Sequence, residues 1–407
     1  MTAGAPRGRR RVGGPAGPPA RDPAPHVRTA RSVAIEALLR IDAGGYANLV
    51  VPALLDRCRL ADADRRFVTE LVYGVTRLRR ALDASIDPFL VRDVDARTRA
   101  GLRLGTYQLV VLATPPHAAV SSTVEAVGGR SKGLVNAVLR RIATSPPVPT
   151  DDASRLSYPD WIVDRLVADL GRDRATAALE AMNGRAVTHM RDDGYVQDPA
   201  SLAVVAQVGA TAGEVVVDVC AAPGGKATAL AGSGCSVVAV ELHPGRARLL
   251  ERNRRATGAQ RLAVVRADGR SLPLAAGSVD RVLVDAPCSG LGSLRRRPDA
   301  RWRVDDAAPE RLATLQRDLL AQARRILRPG GTLVYSVCTL TATETLGIDR
   351  WLSDTMPDLE AQPTMRRLDG SAVVWEPWGR GALVLPTVEG SDGMFVLVLR
   401  DVGHRAT

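Results

Sequence analysis

Short strand-like runs alternate with helical segments beyond Pro199, and this alternation limits the folds open to the chain more than any other feature. The runs are β-branched, which is typical of strands, and helical segments lie between most of them. They are Val215 to Val219, Val237 to Glu241, Leu262 to Arg266, Val279 to Asp285, Thr332 to Val337 and Met394 to Leu399. Because helical crossovers join parallel strands, the pattern predicts an α/β domain with a doubly wound, mostly parallel sheet. Ligands of such sheets bind beyond the carboxyl ends of the strands, so the residues that follow each strand are the candidate site.

The preceding part of the chain has the spacing of amphipathic helices. Thr29 can cap a stretch whose apolar residues recur at helical spacing until Gly44 and Gly45 end it. Further helical patterns run from Asn48 to Arg59, Ala63 to Ile86, Asp95 to Ala113, Ala118 to Val127 and Gly133 to Ala143. We therefore predict an all-α domain over residues 29–145, a linker with a short helical segment over 146–197, and the α/β domain over 198–403.

The charge of the chain favours a nucleic-acid partner. A formal net charge of +11 and a pI near 10.1 indicate a polyanionic partner, and no basic amphipathic membrane anchor is present. Residues 1–28 are rich in Pro, Gly, Ala and Arg without an apolar period, so we expect a disordered basic tail. No apolar run reaches the roughly 18 residues of a membrane span, and the N-terminus has no apolar signal core. We expect a cytoplasmic protein that makes no membrane contact and works as a monomer.

The turn after the first strand has the features of a nucleoside site. In "VVVDVCAAPGGKATAL" the Pro-Gly-Gly sequence at 223–225 forms a turn whose backbone can approach a ligand closely. It matches neither the dinucleotide nor the triphosphate glycine motif. Glu241 ends the second strand, where it can accept both ribose hydroxyls, and Asp268 follows the third strand, where it could bind an adenine amino group. With Asp285 at the end of the fourth strand, these acids favour a nucleoside with a cationic arm, consistent with S-adenosylmethionine. The same residues could also serve only as helix and strand caps.

Two cysteines follow adjacent strands of the predicted sheet. Cys288 comes after the fourth strand and Cys338 after the fifth, so both are expected at the same edge, near the methyl donor. Methylation of cytosine C5 needs a thiolate that adds to C6, and a second thiol could assist release of the product. A single buried cysteine is more often inert core, which is our interpretation of Cys58 and Cys235. The five cysteines include no CxxC pair and have no histidine cluster beside them, so the sequence predicts neither a disulfide framework nor a metal site.

Three segments, "DVCAAPGGKAT", "DAPCSGLGSLRRRPDARW" and "YSVCTL", resemble the signatures of the NOL1/NOP2/Sun family of RNA cytosine-C5 methyltransferases. The helical part, with "DRRFVTELVYGVTR" and "KGLVNAVLRR", resembles the NusB-like RNA-binding domain of the RsmB (Sun) branch. The resemblance implies a Rossmann-like methyltransferase domain and methylation of one cytosine of small-subunit (16S) ribosomal RNA. It implies Cys338 as the attacking thiolate, Cys288 as the release cysteine, and Asp285 as an added contact to the N3/N4 edge of the cytosine. The implied cofactor residues are Cys220, Ala221, Ala222, Pro223, Gly224, Gly225, Lys226, Glu241, Asp268 and Asp285.

An arginine cluster directly follows the Pro-Cys turn and is the predicted RNA contact. It consists of Arg295, Arg296, Arg297, Arg301 and Arg303, with Trp302 as a candidate for base stacking. Phosphates gathered there would bring an unpaired base to the thiols. Two other functions stay open at this point: a DNA cytosine-C5 methyltransferase, whose nucleophile lies in the Pro-Cys turn, and a non-catalytic RNA-binding or antitermination-like assembly factor.

Overall fold

A computed structural model describes residues 1, 28–366, 373–387 and 390–403. The basic tail predicted over residues 1–28 lies outside the described residues, apart from Met1 and Arg28. No helix in the described ranges has the length and apolar character needed to cross a membrane.

The N-terminal part is all-helical, as the apolar spacing predicts. Its helices are α1 Ala30–Asp42, α2 Ala47–Leu55, α3 Asp62–Arg77, α4 Arg79–Ile86, α5 Ala96–Thr106, α6 Pro116–Val127 and α7 Lys132–Thr144. Thr29 caps α1 in a reciprocal capping box with Ser32. The predicted single helix over Ala63 to Ile86 is wrong, because the chain leaves helical geometry at Leu78 between α3 and α4.

The break between α3 and α4 is stabilised from outside the helical part. The hydroxyl of Ser157 accepts hydrogen bonds from the backbone N–H groups of Arg80 and Ala81, in the first turn of α4. Arg80 itself donates to the Tyr158 carbonyl at 3.0 Å and to Asp160 at 2.8 Å. The start of α4 is therefore capped by the segment that follows the helical part, which no local spacing could reveal.

The remaining helices surround a sheet on both of its faces. They are α8 Asp152–Leu156, α9 Asp160–Leu170, α10 Arg172–Ala181, α11 Pro199–Val208, α12 Gly225–Ala231, α13 Pro244–Ala256, α14 Ala308–Ile326 and α15 Leu346–Thr355. The buried residues of α9, α10 and α14 pack on one face of the sheet, and those of α11, α12 and α13 pack on the other. This is the doubly wound architecture predicted from the alternation of strands and helices.

The sheet runs in the order β3-β2-β1-β4-β5-β9-β8-β7, and β6 also pairs with β9. Its strands are β1 Val215–Asp218, β2 Ser236–Val240, β3 Leu262–Val265, β4 Val279–Asp285, β5 Leu327–Val337, β6 Leu359–Ala361, β7 Glu376–Trp378, β8 Gly381–Val384 and β9 Met394–Asp401. Strands β1 to β5 pair in parallel, whereas β9 pairs antiparallel with β5. The prediction of a mostly parallel α/β sheet is confirmed. Strands β6, β7 and β8 were not predicted, because they are short and β7 contains a proline.

Candidate active site

The turn between β1 and α12 brings backbone close to the carboxyl edge of the sheet. Gly224 adopts φ +111°, and a Cβ there would lie 2.5 Å from the Leu250 side chain. Gly225 starts α12, and a Cβ there would lie 3.1 Å from Tyr195 and 3.2 Å from Gln197. Gly224 is required by its left-handed backbone conformation and close packing, whereas a side chain at Gly225 would need its neighbours to shift by a few tenths of an ångström.

Asp218, at the end of β1, is the strongest sign of a cationic ligand at this turn. It is 1% exposed, and neither carboxylate oxygen has a hydrogen-bond partner of ordinary geometry among the described residues. Burial, followed by the charge of Asp285, raises the pKa of Asp218 to about 7. A buried carboxylate without partners is costly, and a cation bound beside it would offset that cost. The sulfonium and ammonium groups of S-adenosylmethionine fit this requirement.

Lys226 connects the cofactor turn to the end of β4. Its ammonium lies 2.7 Å from an Asp285 oxygen, and the other Asp285 oxygen accepts a 2.7 Å hydrogen bond from the Ser336 hydroxyl. Burial alone would lower the pKa of Lys226, but the Asp285 carboxylate outweighs it and the pKa is raised. Lys226 therefore stays charged, and the pair fixes Asp285 between the cofactor turn and β5.

The remaining cofactor candidates are in three different environments. Glu241 is 4% exposed and accepts a 2.8 Å hydrogen bond from the His243 backbone, which fixes its carboxylate just after β2. Asp268 is half-buried and pairs with Arg270 at 2.8 Å, which lowers the pKa of its carboxyl. Burial raises the pKa of Cys220 far above its ordinary range, so this thiol stays neutral. The turn after β1 and the acids at the carboxyl ends of β1, β2 and β4 thus surround one candidate ligand site, as expected for a doubly wound sheet.

The structure brings the two predicted catalytic thiols into direct contact. The sulfur atoms of Cys288 and Cys338 are 3.3 Å apart, and both residues are partly buried. All five cysteines are free thiols, so this pair is not a disulfide. Among the described residues, no group of three or more His, Cys, Asp or Glu side chains is arranged to hold a metal ion.

The surroundings of the pair favour the thiolate on Cys338. A hydrogen bond from the Cys288 thiol lowers the pKa of Cys338 to about 7, against the opposing effect of burial. The Ser293 hydroxyl and the positive charge of Arg297 act in the same direction. The pKa of Cys288 is raised instead, through its hydrogen bond to Cys338, its burial and the nearby carboxylate of Glu344. The directions of these two shifts favour Cys338 as the thiolate and Cys288 as its hydrogen-bond donor.

A buried polar network that the sequence analysis missed joins the two cysteine loops. The hydroxyls of Ser289 and Thr339 are 2.7 Å apart, one residue after each cysteine. The fully buried Glu344 accepts hydrogen bonds from Ser289, Thr341 and the side chain of Gln316. The network ties both loops to α14 and fixes the separation of the thiols. The polar run "CTLTATET" after Cys338 was the available signal, because so many hydroxyls beside a strand end need buried partners.

The structure corrects the prediction for Arg301. Its side chain is fully buried and donates to the Arg77 and Ser157 carbonyls at 3.1 Å and to the Asn183 side chain at 2.8 Å. The neighbouring indole of Trp302 donates to the Thr76 carbonyl at 2.7 Å. Both residues join the helical part to the α/β part, so neither is available to RNA in this arrangement.

The other four arginines do not form a single phosphate-binding surface. Arg295 is 1% exposed and donates from Nη2 to the carbonyls of Ala181 and Thr387, whereas its Nε and Nη1 have no hydrogen-bond partner among the described residues. Arg296 pairs with Asp198 at 2.9 Å and Asp392 at 3.2 Å. Arg303 pairs with Asp299 at 2.6 Å and lies over the Tyr46 ring, whereas Arg297 is exposed and close enough to Cys338 for its charge to act on the thiol. The five residues are divided between the domain interface and the site.

Comparison with known proteins agrees with the division into an N-terminal helical part and an α/β methyltransferase-type part. The family model described as 16S rRNA methyltransferase RsmB/F matches residues 206–400, and the NusB family model matches residues 28–144. The crystal structure of the protein PH0851 shares the fold with a TM-score of 0.73 at 20% identity, covering 91% of this chain and 98% of that one.

Relatives match along most of their length. A Mycobacterium tuberculosis protein named as a putative methyltransferase is 35% identical, with 91% of this chain and 96% of the relative covered. Ribosomal RNA small subunit methyltransferase B of Thermus thermophilus is 34% identical, with 93% of this chain and 99% of the relative covered. The chain therefore belongs to the RsmB/F family of ribosomal RNA methyltransferases and carries a NusB-family domain at its N-terminal end.

Proposed function

We propose that this protein forms 5-methylcytosine in RNA, with one cytosine of 16S ribosomal RNA as the target and S-adenosylmethionine as the methyl donor. The observation that carries the proposal is the 3.3 Å contact between the Cys288 and Cys338 sulfurs, beside a cofactor turn whose buried Asp218 accepts no hydrogen bond of ordinary geometry from the described residues. Family membership supports the ribosomal RNA substrate, since the Thermus relative is named for the small subunit. The predicted monomeric state and cytoplasmic location belong to the same proposal.

The cofactor is held by the turn at 220–226 and by the acids at the strand ends. Asp218 faces the cationic part of the donor, Glu241 accepts the ribose hydroxyls, and Asp268 contacts the adenine amino group. When bound, S-adenosylmethionine supplies an electrophilic methyl group. Lys226 holds Asp285 in place, which leaves that carboxylate to contact the N3/N4 edge of the cytosine.

The thiols perform the covalent chemistry. The Cys338 thiolate adds to C6 of the cytosine, and the electron pair displaced from the C5–C6 bond makes C5 nucleophilic toward the methyl group. After methylation, the C5 proton passes to solvent water, the electron pair of the C5–H bond re-forms the C5–C6 double bond, and cleavage of the C6–S bond returns the Cys338 thiolate. Cys288, at 3.3 Å, is positioned to assist this release. Its raised pKa keeps it protonated while Cys338 attacks.

The test uses wild type, Cys338→Ala and Cys288→Ala with unmethylated small-subunit rRNA and labelled S-adenosylmethionine. Mapping of 5-methylcytosine gives the target, and denaturing gels detect RNA–protein adducts. We expect Cys338→Ala to be inactive and adduct-free, and Cys288→Ala to accumulate a covalent adduct. Cys58→Ala, in the helical core, is the matched control.

The same experiment separates the two rival functions. Activity that survives in Cys338→Ala but not in Cys288→Ala would reverse the roles and indicate the mechanism of DNA cytosine-C5 methyltransferases. A wild-type protein that binds no S-adenosylmethionine and methylates no RNA would indicate a non-catalytic assembly factor. The lowered pKa of Cys338 supports this residue, and not Cys288, as the attacking thiolate, which is the role expected in the RNA enzyme.

A further inference from the structure

A cleft of about 740 Å³ opens between the helical part and the α/β part, outside the thiol and cofactor site. Helix α3 forms one wall, and the segments around Arg185 and Arg296 form the other. Its volume lies within the range of about 300–1,000 Å³ that is typical of ligand clefts. The full lining is Arg66, Phe67, Thr69, Glu70, Tyr73, Arg77, Arg185, Ala186, Arg295 and Arg296.

The lining is strongly cationic. It contains five arginines and a single carboxylate, Glu70, which already pairs with Arg185 at 2.8 Å and accepts from the Tyr107 hydroxyl at 2.5 Å. Arg66 is exposed and forms no ion pair with any described residue. Arg185 pairs with Glu70, and Arg296 pairs with two aspartates outside the lining, so the positive charge left for an anion comes from Arg66, Arg77 and Arg295.

Two arginines of the cleft lining have buried guanidinium nitrogens without a hydrogen-bond partner among the described residues. Arg295 is 1% exposed, and its Nε and Nη1 have no hydrogen-bond partner within the described part of the chain. The Nε of Arg77, which is 6% exposed, is unpartnered in the same sense. Buried donors on charged groups are costly to leave unpaired, so their presence at a cleft points to an anionic ligand. Phosphate oxygens match the planar donor geometry of guanidinium groups.

Aromatic rings lie among the cations. Phe67 and Tyr73 line the cleft from α3 and are half-buried, and the Arg31 guanidinium lies 5.1 Å from the centre of the Phe67 ring. Arginines interleaved with aromatic side chains are the usual arrangement for single-stranded nucleic acid, because phosphates bind the cations and bases stack on the rings. A small inorganic anion would bind the arginines without stacking on the rings, so the rings favour a ligand that carries bases as well as phosphates.

The cleft is joined to the thiols by a short chain of contacts. Arg296, in the lining, pairs with Asp392 at 3.2 Å. The next residue, Gly393, donates to the Gly292 carbonyl at 2.8 Å, and the Gly292 N–H donates to the Cys338 carbonyl at 3.0 Å. A strand of RNA in the cleft would thus lie alongside the loops that hold the nucleophile.

We propose that this interdomain cleft binds an unpaired stretch of the substrate RNA next to the target cytosine, with phosphates on its arginines and a base against Phe67 or Tyr73. The proposal rests on the proposed function for its choice of RNA. It also gives the NusB-family domain a direct role, since α3 supplies one wall.

The test compares the full-length double variant Arg66→Gln/Arg185→Gln with wild type, and Arg350→Gln is the matched control. Arg350 is exposed on α15, outside the cleft lining. Equilibrium binding of a labelled single-stranded RNA from the substrate is measured without methyl donor at several salt concentrations. We expect the double variant to bind on the order of tenfold more weakly, with a salt slope reduced by about 0.7 for each phosphate that is no longer neutralised. Its kcat should be unchanged at saturating RNA, while its KM for RNA rises.

The outcomes separate this proposal from the reaction itself. A double variant with unchanged Kd, salt slope and KM, or one no weaker than Arg350→Gln, would overturn the cleft assignment while leaving the methyltransferase assignment intact. A wild-type protein that binds RNA through Arg66 and Arg185 but transfers no methyl group would refute the reaction and keep the cleft. Arg295→Lys, which retains the charge but loses the planar fork, should also weaken binding. Circular dichroism melting checks that this variant is folded.

Discussion

Replacing Cys288 tests whether one thiol activates the other. The pKa of Cys338 falls from its ordinary value of 9.0 to about 7, and the hydrogen bond from Cys288 is the largest cause. A fall of this size favours the thiolate over the thiol by roughly 3 kcal/mol. In Cys288→Ala this donor is gone, so the pKa of Cys338 should rise toward 9.

The expected change in reactivity can be worked from these values. At pH 7 the thiolate fraction of Cys338 falls from about one half to about 1% if the whole shift is removed, a change of about 50-fold. A thiolate of higher pKa is intrinsically more nucleophilic, by about eightfold over two units, so the net loss of rate is about sixfold. Ser293 and Arg297 keep part of the shift, which makes sixfold an upper limit.

The assay is alkylation of the free protein with iodoacetamide between pH 6 and 9, followed by quantification of the Cys338 peptide by mass spectrometry. The midpoint of the pH profile is the decisive reading, because removal of the Cys288 side chain also changes access to Cys338. We expect a midpoint near 7 in wild type and in Cys58→Ala, and a midpoint closer to 9 in Cys288→Ala. An unchanged midpoint in Cys288→Ala would refute the idea that Cys288 is the activating donor.

Three further variants test the loop that follows Cys288, the interface between the two domains, and the buried Asp218 of the cofactor turn. Gly292→Ala would place a Cβ 2.3 Å from the Gly393 carbonyl oxygen and 3.0 Å from that of Cys338, so methyl transfer should fall by about 100-fold while calorimetric S-adenosylmethionine binding is unchanged. Arg301→Met removes the donor of three buried hydrogen bonds, and we expect a loss of about 3 kcal/mol in urea unfolding. The pKa of Asp218 is about 7 in the folded state, against an ordinary 3.8. Between pH 3.8 and about 7 the folded state therefore binds a proton that the unfolded state has lost, so the free energy of unfolding falls as pH rises through this window. Asp218→Asn should abolish that fall in melting temperature measured without ligand.

Each variant has a control of the same type elsewhere in the chain. A Cβ at Gly347 would approach only the Ala342 carbonyl oxygen, at 3.4 Å, so Gly347→Ala should leave transfer intact. Arg350→Met and Asp354→Asn change exposed residues of α15 and should leave stability and its pH dependence unaltered. Loss of S-adenosylmethionine binding in Gly292→Ala, or stability equal to wild type in Arg301→Met, would contradict the structural reasoning.

The position of the catalytic pair could be predicted from sequence because it depends on a rule of topology. Parallel strands joined by helical crossovers end at one edge, so residues that follow β4 and β5 must converge there. The pairing of β4 with β5 then brings Cys288 and Cys338 together. The cofactor turn after β1 lies at the same edge for the same reason. Their direct 3.3 Å contact needs side-chain geometry that no spacing contains.

The role of the arginine cluster could not be predicted, because it depends on contacts between distant parts of the chain. Arg301 bonds to the Arg77 carbonyl across 224 residues. Locally, a run of arginines beside a Pro-Cys turn has the same pattern whether its side chains face RNA or another domain. Burial decides between the two: it lowers the pKa of Arg301 to about 10 and leaves no surface for a phosphate. The break at Leu78 escaped prediction for the same reason, since Ser157 caps α4 from outside the domain.

The interface has a consequence for catalysis because the segment that follows Cys288 also docks the helical domain. Arg301 and Trp302 bond to backbone carbonyls of α3, and such directional bonds fix an orientation that a purely apolar contact would leave free to slide. The wall of the cleft on α3 is thereby held at a constant distance from the Cys288 turn. A reacting base must lie within about 3–3.5 Å of the thiolate to react efficiently. RNA that is bound partly by the helical domain can therefore reach the thiolate of the α/β domain only if the two domains keep a fixed relative position. Under the proposed function, Arg301 and Trp302 thus assist methyl transfer by keeping the cleft wall on α3 and the Cys288 turn at a fixed separation, without contacting the RNA themselves.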